Sequence, residues 1–348
     1  MTLIDAFRQQ AVSCEALGSP FMARLLTMLA QEWPADSALA KSFETIPGEP
    51  GPSGASLPLR TCAGLHALVL TRRAPALAAV YPPHTAEDAD LRDAVLAAIK
   101  DHAKFLVNWC KSPPQTNEVR RSAAMIAGAQ VAVASYRLPI HLSELGASGG
   151  LNMMWDHYAL EIKGTRFGPQ MPAVTLTPEW SGPLPPAANP RIVAREGVDL
   201  NPLDPQHGDD LLRLTAYLWP DQPDRLAMTR AAASVMTAPI AKGDAIDWLA
   251  RRLASAPQGH LHLIQHSIAW QYFSKAAQAR GRALIEGAGA RAKRDRPLAW
   301  LSMETDGDTT GGRGAAITLR IWPGDITVVL GRADFHGRWI DWAYDSAG

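Results

Sequence analysis

At 348 residues the chain can fold as two domains or one large one and bury a substantial core, which excludes a disulfide-stapled mini-protein. Apolar residues make up 47% and charged residues 20%, with no low-complexity tract, so disordered and collagen-like classes are excluded as well. The 34 Lys+Arg balance the 34 Asp+Glu and leave no net field to gather a phosphate backbone or an anionic bilayer, so neither nucleic acid nor a membrane is an expected partner.

Residues 3–17 and 21–33 repeat apolar positions every three or four residues. Gly18-Ser19-Pro20 between them ends one helix and starts the next, which predicts a helical hairpin. After a Pro- and Gly-rich loop at 47–58, residues 59–73 and 87–109 carry two more helical patterns, the second stopped by Pro113-Pro114. Gln115-Thr116-Asn117-Glu118 then opens a helix reaching about residue 135. Thr116 or Asn117 suits its cap and Glu118 the positive end of its dipole.

From about residue 138 short apolar runs alternate with helical stretches, the pattern of a parallel sheet with crossover helices. Seven strands are predicted, at 140–145, 191–198, 238–242, 260–265, 298–303, 316–321 and 325–330. Only Trp322-Pro323-Gly324 separates the last two, which makes them an antiparallel hairpin. Residues 164–190, broken by repeated prolines, read as a flap or loop insertion. The expected class is α/β, with a helical N-terminal domain over 1–136. A Rossmann-like, mostly parallel seven-stranded sheet with an antiparallel C-terminal hairpin follows over 137–348. No apolar run approaches the roughly 20 residues of a membrane span. Residues 1–11 carry Asp5 and no apolar signal core, so the expected location is cytoplasmic. Cys14, Cys62 and Cys110 are odd in number and widely spaced, which encodes neither a disulfide framework nor a thiolate zinc site.

The chemistry concentrates in His141-Leu142-Ser143-Glu144-Leu145-Gly146-Ala147-Ser148-Gly149-Gly150-Leu151-Asn152, a strand running into a glycine turn and then a helix. Such a turn lets a ligand approach the main chain closely and presents backbone N–H groups at a helix start. Through Glu144, Gly146 and Gly150, with Ser148 where a further glycine often stands, it resembles the acidic-x-Gly-x-x-x-Gly turn of class I S-adenosylmethionine-dependent methyltransferases. Gly146-Ala147-Ser148-Gly149-Gly150 also matches the nucleophile elbow G-x-S-x-G, whereas Ser148 breaks the dinucleotide fingerprint G-x-G-x-x-G. An ordinary tight turn is the further alternative.

Acidic residues at the next two strand ends favour a nucleoside cofactor. Asp199 at the end of the second strand is placed to accept from ribose hydroxyls. Gly243-Asp244-Ala245 at the end of the third looks like the acidic turn that holds an adenine amino group in methyltransferases. A hydrolase would need more strands before its nucleophile and an oxyanion donor loop, which the helical first third does not offer. The fourth strand leads into His266-Ser267-Ile268-Ala269-Trp270-Gln271-Tyr272, at the sheet edge where open α/β folds bind ligands. His266 is the candidate proton acceptor there, and Trp270, Gln271 and Tyr272, with Asn117, are candidates to line the substrate pocket. His260, His262 and His266 share a strand face, but no carboxylate or Cys nearby completes a metal set, so no metal is expected.

Several segments together resemble the bacterial domain-of-unknown-function 2332 family over nearly the whole chain. These are Gly18-Ser19-Pro20, Pro114-Gln115-Thr116-Asn117-Glu118-Val119, Glu144-Leu145-Gly146-Ala147-Ser148, Gly150-Leu151-Asn152, Asp199-Leu200-Asn201-Pro202, Trp219-Pro220-Asp221-Gln222, His266-Ser267 with Trp270-Gln271-Tyr272, and His336-Gly337-Arg338-Trp339. The resemblance implies the element order above and no assigned activity. The leading expectation is a methyltransferase-like enzyme using S-adenosylmethionine, held by Glu144, Gly146, Ser148, Gly150, Asp199, Asp244 and Ala245, on a small-molecule acceptor entering beneath the helical third and the Pro-rich flap. The alternatives are a serine hydrolase with Ser148 as nucleophile and His336 as base, and an inert nucleotide-binding protein.

Overall fold

The structure, a computed structural model, describes residues 1–307 and 313–345. The chain is an α/β protein that divides into two compact units, one of residues 1–116 and 207–230, the other of 117–206 and 231–348. This differs from the division expected at residue 136.

Residues 1–116 form α1 (Leu3–Ala16), α2 (Pro20–Gln31), α3 (Ala38–Phe43), α4 (Leu57–Leu70), α5 (Pro75–Ala78), α6 (Asp88–Asp101) and α7 (Ala103–Cys110). Thr2 and Asp5 close a reciprocal capping box on α1. Ser19 caps α2 by accepting from the Met22 amide, with Pro20 in the first turn, so the predicted hairpin forms where its punctuation lies. The helices close over Phe7, Leu25, Leu29, Leu65 and Leu68. The helix expected at 116–135 begins later, as a 3-10 turn Val119–Arg121 followed by α8 (Ser122–Tyr136). α8 is buried along nearly its whole length and so belongs with the sheet.

Among the described residues the large sheet has nine strands. In chain order they are β1 (Ile140–Leu145), β5 (Glu179–Ser181), β6 (Ile192–Asp199), β7 (Ile240–Lys242), β8 (Leu261–Ser267), β9 (Leu298–Glu304), β10 (Ala315–Trp322), β11 (Ile326–Ala333) and β12 (Trp339–Trp342). A separate three-stranded sheet holds β2 (Tyr158–Ile162), β3 (Thr165–Phe167) and β4 (Val174–Leu176). The large sheet runs β5-β12-β11-β10-β9-β8-β1-β6-β7. β7, β6, β1, β8 and β9 are parallel, and β10, β11 and β12 follow antiparallel.

Two expectations are corrected here. The sheet is wider than seven strands because β12 pairs with β11 and with β5. The segment 164–190 is also not only loop, since it supplies β3, β4 and β5. Strands of three residues between prolines fall below the length at which alternation is visible in sequence.

α9 (Gly208–Ala216) and most of α10 (Pro223–Ser234) belong to the first unit, although they lie between strands of the second. α11 (Ala245–Ala254) and α12 (Lys275–Gly289) cover one face of the sheet, packing Ile246, Trp248, Leu249 and Ile285 on Leu145, Val198 and Ile264. α8 covers the other, so close to β9 that a Cβ on Gly128 would lie 2.5 Å from a Leu301 methyl.

Candidate functional site

Parallel strands end together, so the residues at the carboxyl ends of β1, β6, β7 and β8 share one sheet edge. β1 lies at its centre, where the chain steps from β6 on one side to β8 on the other. The penultimate residue of β1 is Glu144, whose register partners are Gly197 on β6 and Gln265 on β8. Its side chain is buried, and Oε2 has no hydrogen-bond partner among the described residues. Burial raises the Glu144 carboxyl to about 8, against a hydrogen bond from Gln265 and with a smaller push from the Asp199 charge.

The glycine turn is held mostly from within. The Gly146 and Ala147 amides both donate to the Val198 carbonyl, at 2.9 and 3.0 Å, and the Gly150 amide donates to Ala147 at 2.7 Å. Ser148, in the left-handed region at φ 53°, donates its amide to Asp199 Oδ2 at 2.9 Å and accepts from the Leu203 amide through its carbonyl. Gly149 is buried, and its N–H donates to no group among the described residues. Gly146 and Gly150 also have positive φ, and both are closely packed: a Cβ would meet Ala269 Cβ at 2.6 Å from Gly146 and Met236 Cε at 2.3 Å from Gly150. The turn leads not into an α-helix but into a kinked 3-10 segment, Leu151–His157, too short to carry the dipole of a longer helix.

Beneath the turn lies a buried polar layer. Gln265 donates to the Asn152 carbonyl at 2.9 Å and accepts from the Trp155 indole at 3.0 Å, while Ser122 donates to Asn152 Oδ1 at 2.8 Å. Asn117 is buried and accepts from the Leu151 amide at 2.9 Å, so it fastens the segment after the turn instead of capping its own helix. Sequence reading missed Gln265 and Asn152 as functional candidates. The signal available was a Gln in the middle of a strand buried along nearly its whole length, a place where an uncompensated amide is costly.

The other predicted residues separate. Asp199 is half-buried, and both oxygens accept amide hydrogen bonds, from Ser148 and, at 2.8 Å, from Asn201. Each oxygen keeps a second lone pair. Asp244 is exposed and caps α11, Oδ1 accepting from the Ile246 and Asp247 amides at 2.9 Å, with Ala245 as the first helical residue. That geometry gives Asp244 a helix-capping role.

His266 does not stand ready as a proton acceptor. The Trp300 indole N–H donates to its Nε2 at 2.8 Å, which leaves the ring proton on Nδ1, and Nδ1 donates to Glu304 Oε1 at 2.7 Å. The ring is buried and stacked on Trp270 at 5.1 Å between centroids. Glu304 Oε1 also accepts from the Ala269 and Trp270 amides at 2.9 and 3.1 Å. Burial pushes this carboxyl up, but the His266 and amide hydrogen bonds outweigh it and hold the carboxyl below its usual range. The group Glu304–His266–Trp300 therefore clamps the segment after β8, and that clamp sets Ala269 against Gly146. Trp270 is part of the packing, whereas Gln271 and Tyr272 are exposed at the same edge.

His336 lies in the 334–338 loop, where Asp334 binds Arg338 through both oxygens at 3.0 and 2.9 Å. The loop rests against the 3-10 turn before α8, Arg121 donating to the Phe335 carbonyl at 2.9 Å. No described helix is long and apolar enough to cross a membrane.

Compared with known proteins, residues 4–342 match a bacterial family described as "Uncharacterized protein conserved in bacteria (DUF2332)". No curated protein matches the chain.

Proposed function

The chain belongs to the bacterial DUF2332 family, and from that premise we propose that it binds S-adenosylmethionine at the carboxyl end of β1 and acts as a methyltransferase on a small-molecule acceptor. Numbered by their own succession, the parallel strands run 3-2-1-4-5, the order of Rossmann-like nucleotide-binding sheets, whose ligands sit where the order reverses. Glu144 and the glycine turn stand at that reversal, between β6 and β8. The observation that carries the reading is that Glu144 Oε2 and, five residues on, the buried Gly149 amide both lack a hydrogen-bond partner among the described residues. Buried polar atoms are nearly always paired, so an unpaired acceptor and donor on one turn mark a place for a ligand.

A bound S-adenosylmethionine would supply an electrophilic methyl group on a sulfonium. Glu144 and the Gly149 amide would meet its charged amino-acid end, and Asp199 would accept from ribose hydroxyls with the lone pairs its amide donors leave. Asp244 and His266 drop out of the site, the first as a helix cap and the second as part of a closed hydrogen-bonded clamp. The remaining contribution of the chain is positioning, which suits a transfer whose barrier depends on alignment.

Calorimetric titration of the protein with S-adenosylmethionine and, separately, S-adenosylhomocysteine tests this. Binding in the micromolar range is expected, lost in Glu144→Gln and weakened in Asp199→Asn, with unfolding temperatures recorded to separate lost binding from lost fold. Because a cationic ligand favours the charged carboxylate, binding near neutral pH should release a proton, seen as a dependence of the heat on buffer ionisation enthalpy. If neither compound binds, the reading fails. A serine-directed probe that labels the wild type and spares Ser148→Ala would then favour the hydrolase.

A further inference from the structure

The helical unit contains a second cluster unrelated to the glycine turn. Arg60 on α4 is only 6% exposed. Its Nη1 donates to the Cys110 carbonyl at 2.8 Å and the Lys111 carbonyl at 3.4 Å, at the end of α7, while its Nε has no partner. Arg213 on α9 holds its guanidinium 4.2 Å above the Trp109 ring, with a buried and unpartnered Nη1. Tyr217, just beyond α9, faces Trp109 at 6.3 Å between ring centroids. The Trp109 Nε1 is buried without a hydrogen-bond partner, and the buried Tyr217 hydroxyl meets only the Arg213 guanidinium, which offers its O–H no acceptor. The two guanidiniums are close enough to act on both Tyr217 and Cys110.

Neither arginine has a carboxylate partner among the described residues. Burying a cation without one is costly. The carbonyls ending α7 and the face of Trp109 repay part of that cost, yet four donor atoms on four side chains stay unmatched. The Cys110 thiol, pushed up to about 12 mainly by burial, stays protonated and supplies no counter-charge. A group that is all acceptor and negatively charged is what each of these donors lacks, and planar guanidinium forks match oxyanions in geometry.

We propose that Arg60, Arg213, Tyr217 and Trp109 form a binding site for a small oxyanion, either a phosphate or a carboxylate group.

Thermal unfolding of the full-length protein, titrated with sodium phosphate, sodium acetate and sodium chloride at matched ionic strength, tests the proposal. A saturable rise of several degrees is expected with phosphate or with acetate, and none with chloride; which of the two acts identifies the group. Arg213→Gln and Tyr217→Phe are chosen because Arg213 is only half-buried and the Phe ring keeps the packing, so both variants should fold. Each should weaken the apparent affinity by about tenfold or more, as loss of a buried hydrogen bond to a charged group does. Equal responses to all three salts would overturn the site, as would an affinity unchanged in both variants, and would leave ordered water as the partner of these atoms.

Discussion

Glu144, a buried carboxyl near the end of β1, and Glu304, a half-buried one at the end of β9, are displaced in opposite directions by their surroundings. Glu144 ionises near 4.5 in the unfolded chain and near 8 in the folded one, so within that window the native state holds a proton that the unfolded state has released. Its contribution to stability is fully present below 4.5 and is lost as pH rises toward 8, at about 1.4 kcal/mol per pH unit. Glu304 has the opposite sign: held below 4.5 in the fold, it contributes above that value and loses its contribution as pH falls through its lowered one. The stability difference between the wild type and Glu144→Gln, followed by calorimetric unfolding between pH 4.5 and 8, should therefore fall as pH rises. Glu304→Ala should instead lower stability by about 3 kcal/mol in denaturant titrations, because it leaves His266 and two amides without their acceptor. An unchanged slope in the first variant would mean that the Glu144 carboxyl is solvated.

At the scale of elements, the glycine turn and the start of α11 make separate predictions. Gly150 sits at φ 72° with Met236 against the place of its missing Cβ, so Gly150→Ala should cost about 2 kcal/mol or more by strain and overpacking together. A loss under 0.5 kcal/mol, the scatter of surface substitutions, would show that the turn yields. Asp244 caps α11 through two amides, so Asp244→Ala should lower stability by about 1 kcal/mol and leave S-adenosylmethionine binding unchanged. Loss of binding without loss of stability would return Asp244 to the site.

For the whole molecule, the consequential feature is that residues 207–230 lie between strands of one unit and fold with the other. They place Ala216, Tyr217 and Trp219 in the helical core, and the buried His66 ring meets the Ala216 carbonyl at 3.1 Å. A fragment of residues 1–116 should then lack a cooperative unfolding transition by circular dichroism, and the same fragment joined to 207–230 should regain one. Cooperative unfolding of 1–116 alone would mean that the inserted helices only decorate a finished core.

Much of this was written locally. The Ser19-Pro20 punctuation, the Gly-Ala-Ser-Gly-Gly turn after β1 and the Pro-Gly-Asp link between β10 and β11 each act within a few residues of where the pattern placed them. The α/β alternation was equally legible, because burying strands on both faces forces continuous apolar runs. The short strands β5 and β12, the union of 207–230 with the N-terminal helices and the occupancy of the site residues were decided only by the tertiary structure. His266 meets Glu304 across 38 residues and Asn117 meets Leu151 across 34. Whether a polar atom is free for chemistry depends on which distant donor or acceptor the packed chain brings to it, and periodicity and capping carry no information at that separation.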